Sequence, residues 1–359
     1  MSTLYRYALP VEETHWRVGG KVETSFTWDY DARSEDLLNL YAKGKRQQWD
    51  AASRIDWSLE VDPEDPMQMD ETVLPLYGTP FWDKISAQQK TELRYHNQVF
   101  TLSQFLHGEQ GALVCSARIV QEVPNIESKF YAATQVMDEA RHVEAFRRLL
   151  TDKYKFVYPI SPPLKALLEQ TLSDRHWDFT YLGMQVLIEG LALVAFQSIR
   201  DYSKNKLCQQ VNAYVMQDEA RHVAFGRMAL RDYYPQLSEA ERREREDFVI
   251  EGAIYLRDRL RSREMWEKLG YEPNDVLPAI EASEGNIRYR MRLFSRIVPT
   301  VRDIGLWSPR VQKAFTDMGV MKYATTDAQA MLDNDSRVAE EFDRQMKEGW
   351  TAPRSAVSG

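Results

Sequence analysis

The sequence predicts an all-α protein built on a bundle of two helical hairpins, and three observations carry that reading. Through most of the 359 residues, apolar side chains recur at intervals of three and four, while strand-like alternation bounded by turn residues is scarce. Two segments, about 90–152 and 175–233, each divide into a pair of helix-forming stretches; two units fit a bundle of hairpins, whereas a solenoid needs at least about three. Within the second stretch of each pair the chain reads Asp-Glu-Ala-Arg-His, at 138–142 and again at 218–222. Glu109 precedes Glu139 by 30 residues, and Glu189 precedes Glu219 by the same interval.

Each element follows from local signals. Residues 1–85 read as an N-terminal arm and helix packing on the bundle, with a short extended piece at 22–28 and a first helix over 34–56. Residues 62–80 hold four prolines and form a loop. Ser86 with Gln89 is a capping box that opens the bundle (86–235), and its first helix runs to Pro124, which has no N–H to continue it. Asn125 is placed to cap the next helix, to about residue 152. Pro159, Pro162 and Pro163 break the chain before helices at about 175–204 and 206–233. A second capping box, Ser238 with Glu241, starts a charged helix to about 267. A final pair spans about 275–298 and 308–318. Residues 236–350 thus complete the same domain, and the small, polar 351–359 is expected to be a disordered tail.

Composition narrows the function classes. A hydrophobic content of 43% supplies a sizeable core, and a net charge of −8 with mixed signs leaves no basic stripe for phosphates, so nucleic acid is not an expected partner. Cys115 and Cys208, the only cysteines, give neither a disulfide framework nor a thiolate metal site, which predicts a reducing, cytoplasmic compartment. Residues 1–16 lack the apolar segment of a signal peptide, which predicts no export. The longest apolar window, 187–196, is interrupted by Glu189 and has about half the roughly 20 residues of a membrane span, so no membrane insertion is expected.

The chemistry lies in the repeat. Positions i and i+3 share a helix face, so Glu139 with His142 and Glu219 with His222 each present a carboxylate and an imidazole to a common point. Glu109 sits on an apolar stripe with Leu102, Phe105, Leu106, Ala112 and Leu113, and Glu189 on one with Leu182, Val186, Ala192, Leu193 and Phe196. Taken singly, each acid or histidine reads as an ordinary helix residue. A duplicated register inside apolar stripes is not something surface salt bridges require. Four carboxylates on apolar faces repel one another unless cations neutralise them, and two divalent ions do so. Oxygen and neutral imidazole without thiolate suit iron or manganese better than structural zinc. The expected ligands, which are also the catalytic set, are Glu139 and Glu219 as bridges and Glu109, Glu189, His142 and His222 as terminal groups. Asp138 and Asp218 are placed to accept the second N–H of His222 and His142 across the bundle, with Arg141 and Arg221 neutralising them; within one helix these are also ordinary i,i+3 pairs.

At these residues, over about 90–235, the chain resembles the ferritin-like carboxylate-bridged diiron proteins, whose bundle carries a Glu on each of two helices and Glu-x-x-His on each of the other two. Its length, the Arg in both pentapeptides, Lys45-Arg46-Gln47-Gln48-Trp49 and Ile55-Asp56-Trp57 look like the oxidase and oxygenase branch of ribonucleotide reductase small subunits, bacterial monooxygenase hydroxylases and aryl-amine N-oxygenases. Three positions depart from those patterns. Phe146 stands where the reductase subunits carry a radical Tyr, Leu193 where the hydroxylases carry a Thr, and Val215 where the N-oxygenases add a third His.

The resemblance implies a ferritin-like bundle and an oxygen-activating non-haem diiron oxidase or monooxygenase. Its cofactor would be two iron ions, with manganese and iron as the variant. Expected partners are O2, a small and largely apolar or aromatic substrate to be hydroxylated, N-oxidised or desaturated, an electron-donating reductase or ferredoxin, and a second copy in a homodimer. Ferroxidase or metal storage, and a metal-radical subunit serving a partner, are the alternatives. The expected substrate pocket is lined by Phe105, Phe146, Leu193, Phe196 and Val215, with Gln135 and Gln185 one turn before two ligands; taken one by one these are ordinary bundle core. Trp49 and Trp57 read as core aromatics before electron-relay groups.

Overall fold

Two helix starts near the N-terminus are dictated by single side chains. Ser34 accepts from Leu37 N and opens α1 (Glu35–Arg46), while the Asp50 carboxylate accepts from Ala52 N and Ser53 N at 2.8 and 2.9 Å and opens α2 (Ala51–Arg54). The single helix expected over 34–56 is therefore two. The break between them carries Gln47, Gln48 and Trp49. In this computed structural model residues 19, 22–28, 30, 34–173 and 176–348 are described; the expected disordered tail at 351–359 lies outside them. Among the described residues the regular structure is helical and contains no strand, and 22–28 is irregular chain tied to the bundle by Ser25 N to Gln121 O at 2.9 Å.

The reciprocal Ser86–Gln89 capping box opens α3 (Ala87–Glu122), and the chain turns at Pro124 into α4 (Ile126–Arg148). Asn125 precedes α4, but its side chain makes no capping bond. The end of α4 widens into a π-helical turn, Leu149–Tyr154. Pro162 and Pro163, read from sequence as breakers, begin α5 (Pro162–Thr171), because proline at the first helical positions has no bond to lose. The next long helix is α6 (Asp178–Tyr181), a π-helical stretch Leu182–Ile188 and α7 (Glu189–Tyr202) in continuity, followed by α8 (Lys206–Tyr233). This 178–202 helix is long and apolar enough to cross a membrane, yet its apolar window is wholly buried by the rest of the chain.

Helices α3 and α4 form one hairpin and α7 and α8 the other, and the pairs close through α4 against α8. The apolar stripes expected from sequence are the faces they bury. Around the bundle lie α9 (Glu239–Arg259), opened by the Ser238–Glu241 capping box, α10 (Arg263–Lys268), α11 (Pro273–Ala282), α12 (Glu284–Leu293), α13 (Ile297–Asp303), α14 (Pro309–Asp317) and α15 (Ala328–Glu348). α15 packs along α8, with Gln217 Nε2 donating to Ala339 O at 2.7 Å. Neither α5 nor α15 was anticipated.

The π-helical stretch bears on the site because it directly precedes Glu189, whose N–H reaches back to Met184 O. It also lies close to α8. A Cβ on Gly226 would meet Gln185 Cβ at 2.4 Å, an atom next to the backbone that cannot swing aside. Gly226→Ala is therefore expected to destabilise the fold by about 1–3 kcal/mol, read as a lowered urea midpoint at unchanged slope; an unchanged midpoint would show that the contact yields freely.

Candidate metal centre

The bundle axis brings the duplicated residues together. Glu109 comes from α3, Glu139 and His142 from α4, Glu189 from the start of α7, and Glu219 and His222 from α8; all are buried. They fall into two sets. Glu109, Glu139, His142 and Glu219 offer ligand atoms within 4.8 Å of one another, as do Glu139, Glu189 and His222. Glu139 belongs to both. Glu219 Oε1 lies 3.2 Å from His142 Nδ1 and 3.5 Å from His222 Nδ1, between the two imidazoles. The ring centroids are 5.9 Å apart.

Each imidazole turns Nδ1 inward and Nε2 outward. His142 Nε2 lies 3.0 Å from Asp218 Oδ2, and His222 Nε2 lies 3.2 Å from Asp138 Oδ2, so each pentapeptide's Asp serves the other's His. An Nε2–H donated to a carboxylate leaves the inward Nδ1 lone pair free, the tautomer a metal needs. The guanidiniums of Arg141 and Arg221 each bond to both aspartates, with the crossing contacts at 2.9 and 3.1 Å. Gln48 Nε2 donates to Asp138 Oδ1 at 2.7 Å and its Oε1 accepts from Arg141 at 2.8 Å. Gln47 accepts from Arg221 at 2.9 Å, and Trp49 Nε1 donates to Asp218 at 2.8 Å. Sequence reasoning noticed the Gln-Gln-Trp stretch without giving it this role. Its signal, polar residues between two caps, shows only that a helix breaks there.

The electrostatics follow from burial. Desolvation, then repulsion from Glu219, pushes the Glu109 and Glu189 carboxyls well above the ordinary range. Burial also penalises ionised Glu139, but His222 and His142 outweigh it and hold that carboxyl low. Burial disfavours both imidazolium ions, yet Glu109 beside His142 and Glu139 beside His222 raise them. For Asp218 the burial penalty is overcome by Arg221 and His142, leaving it well below its usual value. Glu189 Oε2, both Glu219 oxygens and His222 Nδ1 are buried without a hydrogen bond, although such atoms are normally satisfied. Unsatisfied oxygen and imidazole donors converging on two points fit two divalent cations.

Gln135 Nε2 bridges Glu139 Oε1 and Glu189 Oε1 at 3.0 and 2.9 Å, and Gln185 reaches Gln135 at 3.4 Å. Gln135 thus orients two of the acids, and Gln185 bears on them only through Gln135. Beside Glu109, Glu189 and Glu219 lies a cavity of about 20 Å³ walled by Phe105 and Phe196, room for about one water. Phe105, Phe146 and Phe196 pack together with centroids 4.6–5.8 Å apart. Phe146, Leu193, Val215, Gln135 and Gln185 are fully buried and do not line that cavity. A groove of about 1210 Å³ opens on the other side of Phe105 and shares with the small cavity only Gln104, Phe105 and Arg259. Arg259 had no signal in the sequence, since it sits in a charged helix among many arginines.

The family described as P-aminobenzoate N-oxygenase AurF matches residues 30–305. No curated protein matches the chain. Among solved structures, a variant R2-like ligand-binding oxidase with an aerobically reconstituted Mn/Fe cofactor is 16% identical, with a TM-score of 0.42 over 87% of this chain and 95% of that one. An R2-like ligand-binding oxidase with an aerobically reconstituted metal cofactor after photoconversion is also 16% identical, at TM-score 0.42, 83% of this chain and 94% of that one.

Asp218 serves His142, Trp49, Arg141 and Arg221 at once. Asp218→Asn leaves two buried guanidiniums sharing one carboxylate and is expected to cost about 3–5 kcal/mol, measured by urea unfolding of metal-free protein. A loss below about 1 kcal/mol would show that solvent or side-chain rearrangement replaces the aspartate.

Proposed function

The chain belongs to the P-aminobenzoate N-oxygenase AurF family, and from that premise we propose that it N-oxidises a small, largely apolar or aromatic amine at the carboxylate and histidine cluster. It is an oxygen-activating diiron oxidoreductase using O2 and a small-molecule substrate. The two-metal reading rests on one observation, the two overlapping ligand sets that share Glu139, and the choice of N-oxidation rests on the family. When bound, two iron ions, or one manganese and one iron, supply the redox chemistry that activates dioxygen.

The chain's own residues supply the rest. We assign Glu139 and Glu219 as bridges and Glu109, His142, Glu189 and His222 as terminal ligands, supported by the shared position of Glu139 and the intermediate one of Glu219. Asp218 and Asp138 hold the His protons on Nε2, and Arg141 and Arg221 each pair with both aspartates. Gln135 donates to Glu139 and Glu189 and fixes their inner oxygens. Phe105 and Phe196 exclude bulk water from the carboxylates. With Val215 where the resemblance to aryl-amine N-oxygenases implies a third His, we assign this chain six ligand residues.

Electrons are assigned to a separate reductase or ferredoxin. Half-buried Trp49, bonded to Asp218 and through it to His142, supports entry at the α1–α2 side. A homodimer is supported by exposed Val114, Phe130 and Met137 on the outer faces of α3 and α4. The buried, unpaired thiols of Cys115 and Cys208 support a reducing, cytoplasmic location.

Glu139→Ala and Glu219→Ala are each expected to abolish stoichiometric iron binding while leaving the helical circular dichroism signal. Iron-loaded, chemically reduced wild-type protein should consume oxygen in a single turnover and convert an aniline probe to its N-oxidised product, seen by mass. Full iron retention in both variants would refute the ligand assignment, and absence of oxygen uptake would refute the reaction.

A further inference from the structure

With a net charge of −8 the chain is acidic overall, yet two of its segments invert that balance. Residues 43–57, spanning the break between α1 and α2, and 147–155, at the end of α4 and its π-helical turn, hold eight lysines and arginines against three aspartates. The fold lays these segments side by side. α1 and α2 both pack on α4, the Arg148 guanidinium lies 4.1 Å from the centre of the Trp57 ring, and Lys153 Nζ donates to Leu59 O at 3.0 Å. Neighbouring acids answer part of the charge: Lys43 pairs with Glu340 at 3.3 Å and Arg148 with Glu144 at 4.0 Å. Lys45, Arg46, Arg147 and Lys155 are exposed and make no ion pair with any described residue.

This basic strip lies over the crossed aspartates. Trp49 is half-buried within it, with Nε1 bonded to Asp218 at 2.8 Å, and Asp218 is bonded in turn to His142 Nε2 at 3.0 Å. Two hydrogen bonds therefore join the strip to an imidazole of the metal centre. Arginine stacked on tryptophan occurs twice here, Arg141 over Trp49 at 4.6 Å and Arg148 over Trp57. These are the residue types that protein interfaces concentrate at their centres. A second copy meeting the strip face to face would set like charges against each other. The strip fits instead a protein that presents carboxylates around a small apolar spot.

We propose that this strip, with Lys45, Arg46, Arg147 and Lys155 as its charged contacts, docks an acidic iron–sulfur protein that reduces the metal centre. The proposal rests on the assignment of electrons to a separate protein, and adds where that protein binds and which charge it carries. Each encounter moves one electron. A ferrous ion in the donor's cluster becomes ferric, one ferric ion of the metal centre becomes ferrous, and no bond is made or broken. The four exposed cations act at a distance: opposite charge on the two faces raises the rate of productive encounter, and dissolved salt screens that attraction. Trp49 and Trp57 supply the apolar contact once water has left.

The test takes an acidic plant-type two-iron ferredoxin as probe and the metal-loaded, full-length protein. Calorimetry reads binding of the oxidised ferredoxin, and anaerobic stopped-flow absorbance reads reoxidation of the reduced form. Between about 20 and about 300 mM salt, the affinity and the second-order rate of wild type are each expected to fall about tenfold or more. The triple variant Arg46→Glu, Arg147→Glu, Lys155→Glu should lose at least about tenfold in both at low salt, and Arg147→Glu alone about threefold. Because these side chains are exposed, metal content, helical circular dichroism and reduction by dithionite should match wild type. Arg288→Glu, exposed on α12, which packs on α7 and α11, should bind and oxidise ferredoxin as wild type does. Wild-type behaviour of the triple variant overturns the proposal, as does an equal loss in Arg288→Glu, which would mark an effect of net charge. Wild type that takes no electron from ferredoxin overturns it too. Phosphatidylglycerol vesicles or a short DNA duplex that bind the strip more tightly than ferredoxin, and lose that binding in the triple variant, would give the face to a membrane or a nucleic acid. Wild-type protein that holds no metal refutes the diiron reading instead, since ferredoxin binding is read by calorimetry without it.

Discussion

The structure depends on one electrostatic constraint, the confinement of four glutamates, two histidines, two aspartates and two arginines inside a bundle that excludes water. Ionised groups are stable there only if every charge has an opposite within bonding distance. The protein meets this by crossing the partners. Asp218 on α8 serves His142 on α4, Asp138 on α4 serves His222 on α8, and each arginine spans both aspartates. Had each Asp bonded only within its own helix, the pairs would place no demand on how the helices meet. Crossed, they fix the register of α4 against α8, and that register brings Glu139 and Glu219 to the midline.

The outer layer can be understood as what completes this network. The aspartates have lone pairs left over after the histidines and arginines, and the break between α1 and α2 supplies donors to them from Gln48 and Trp49. A continuous helix over 34–56 would spread those side chains around its axis; the Asp50 cap that restarts α2 frees residues 47–49 to face the bundle together. On the other hairpin, the π-helical stretch before Glu189 serves the inner shell, since a wider turn changes the angle at which the next side chain leaves the axis. Regular helices suffice for Glu139, His142, Glu219 and His222, whose spacing already places them on one face. Glu189, with no partner in its own turn, depends on the local distortion and on Gln135 for its orientation.

What could be read from the sequence divides along the same line. The capping boxes at Ser86 and Ser238 and the stop at Pro124 are local signals, and the helix starts and the stop they mark are where expected, whereas the helix expected to about 267 ends at Arg259 and the one expected over about 275–298 is three short helices. The coming together of Glu109, Glu139, His142, Glu189, Glu219 and His222 was legible because a duplicated register is visible without knowing how the helices pack. Prolines misled at α5, where Pro162 starts a helix after ending a loop, since the residue type marks a boundary without saying on which side the helix lies. The π-helical turns and the packing of α15 on α8 depend on tertiary fit, which leaves no periodicity of its own. The pocket was the least legible part: Phe105 and Phe196 wall the cavity while Phe146, Leu193 and Val215 are core around it, and all five share the same apolar pattern in one dimension.

Charge balance also explains why Arg259 differs from the arginines beside the metal centre. Arg141 and Arg221 are buried in a network whose charges close within the chain, so removing either leaves an orphan anion, and their role is complete without any ligand. Arg259 is equally buried but makes no ion pair with any described residue, and it lines a groove instead of a helix interface. Among the described residues, six of the seven buried arginines have a carboxylate partner and Arg259 does not. A cation buried without an ion pair makes the folded chain less stable than one whose charge is paired, so Arg259 is a cost of the kind that the crossed network around the metal centre avoids.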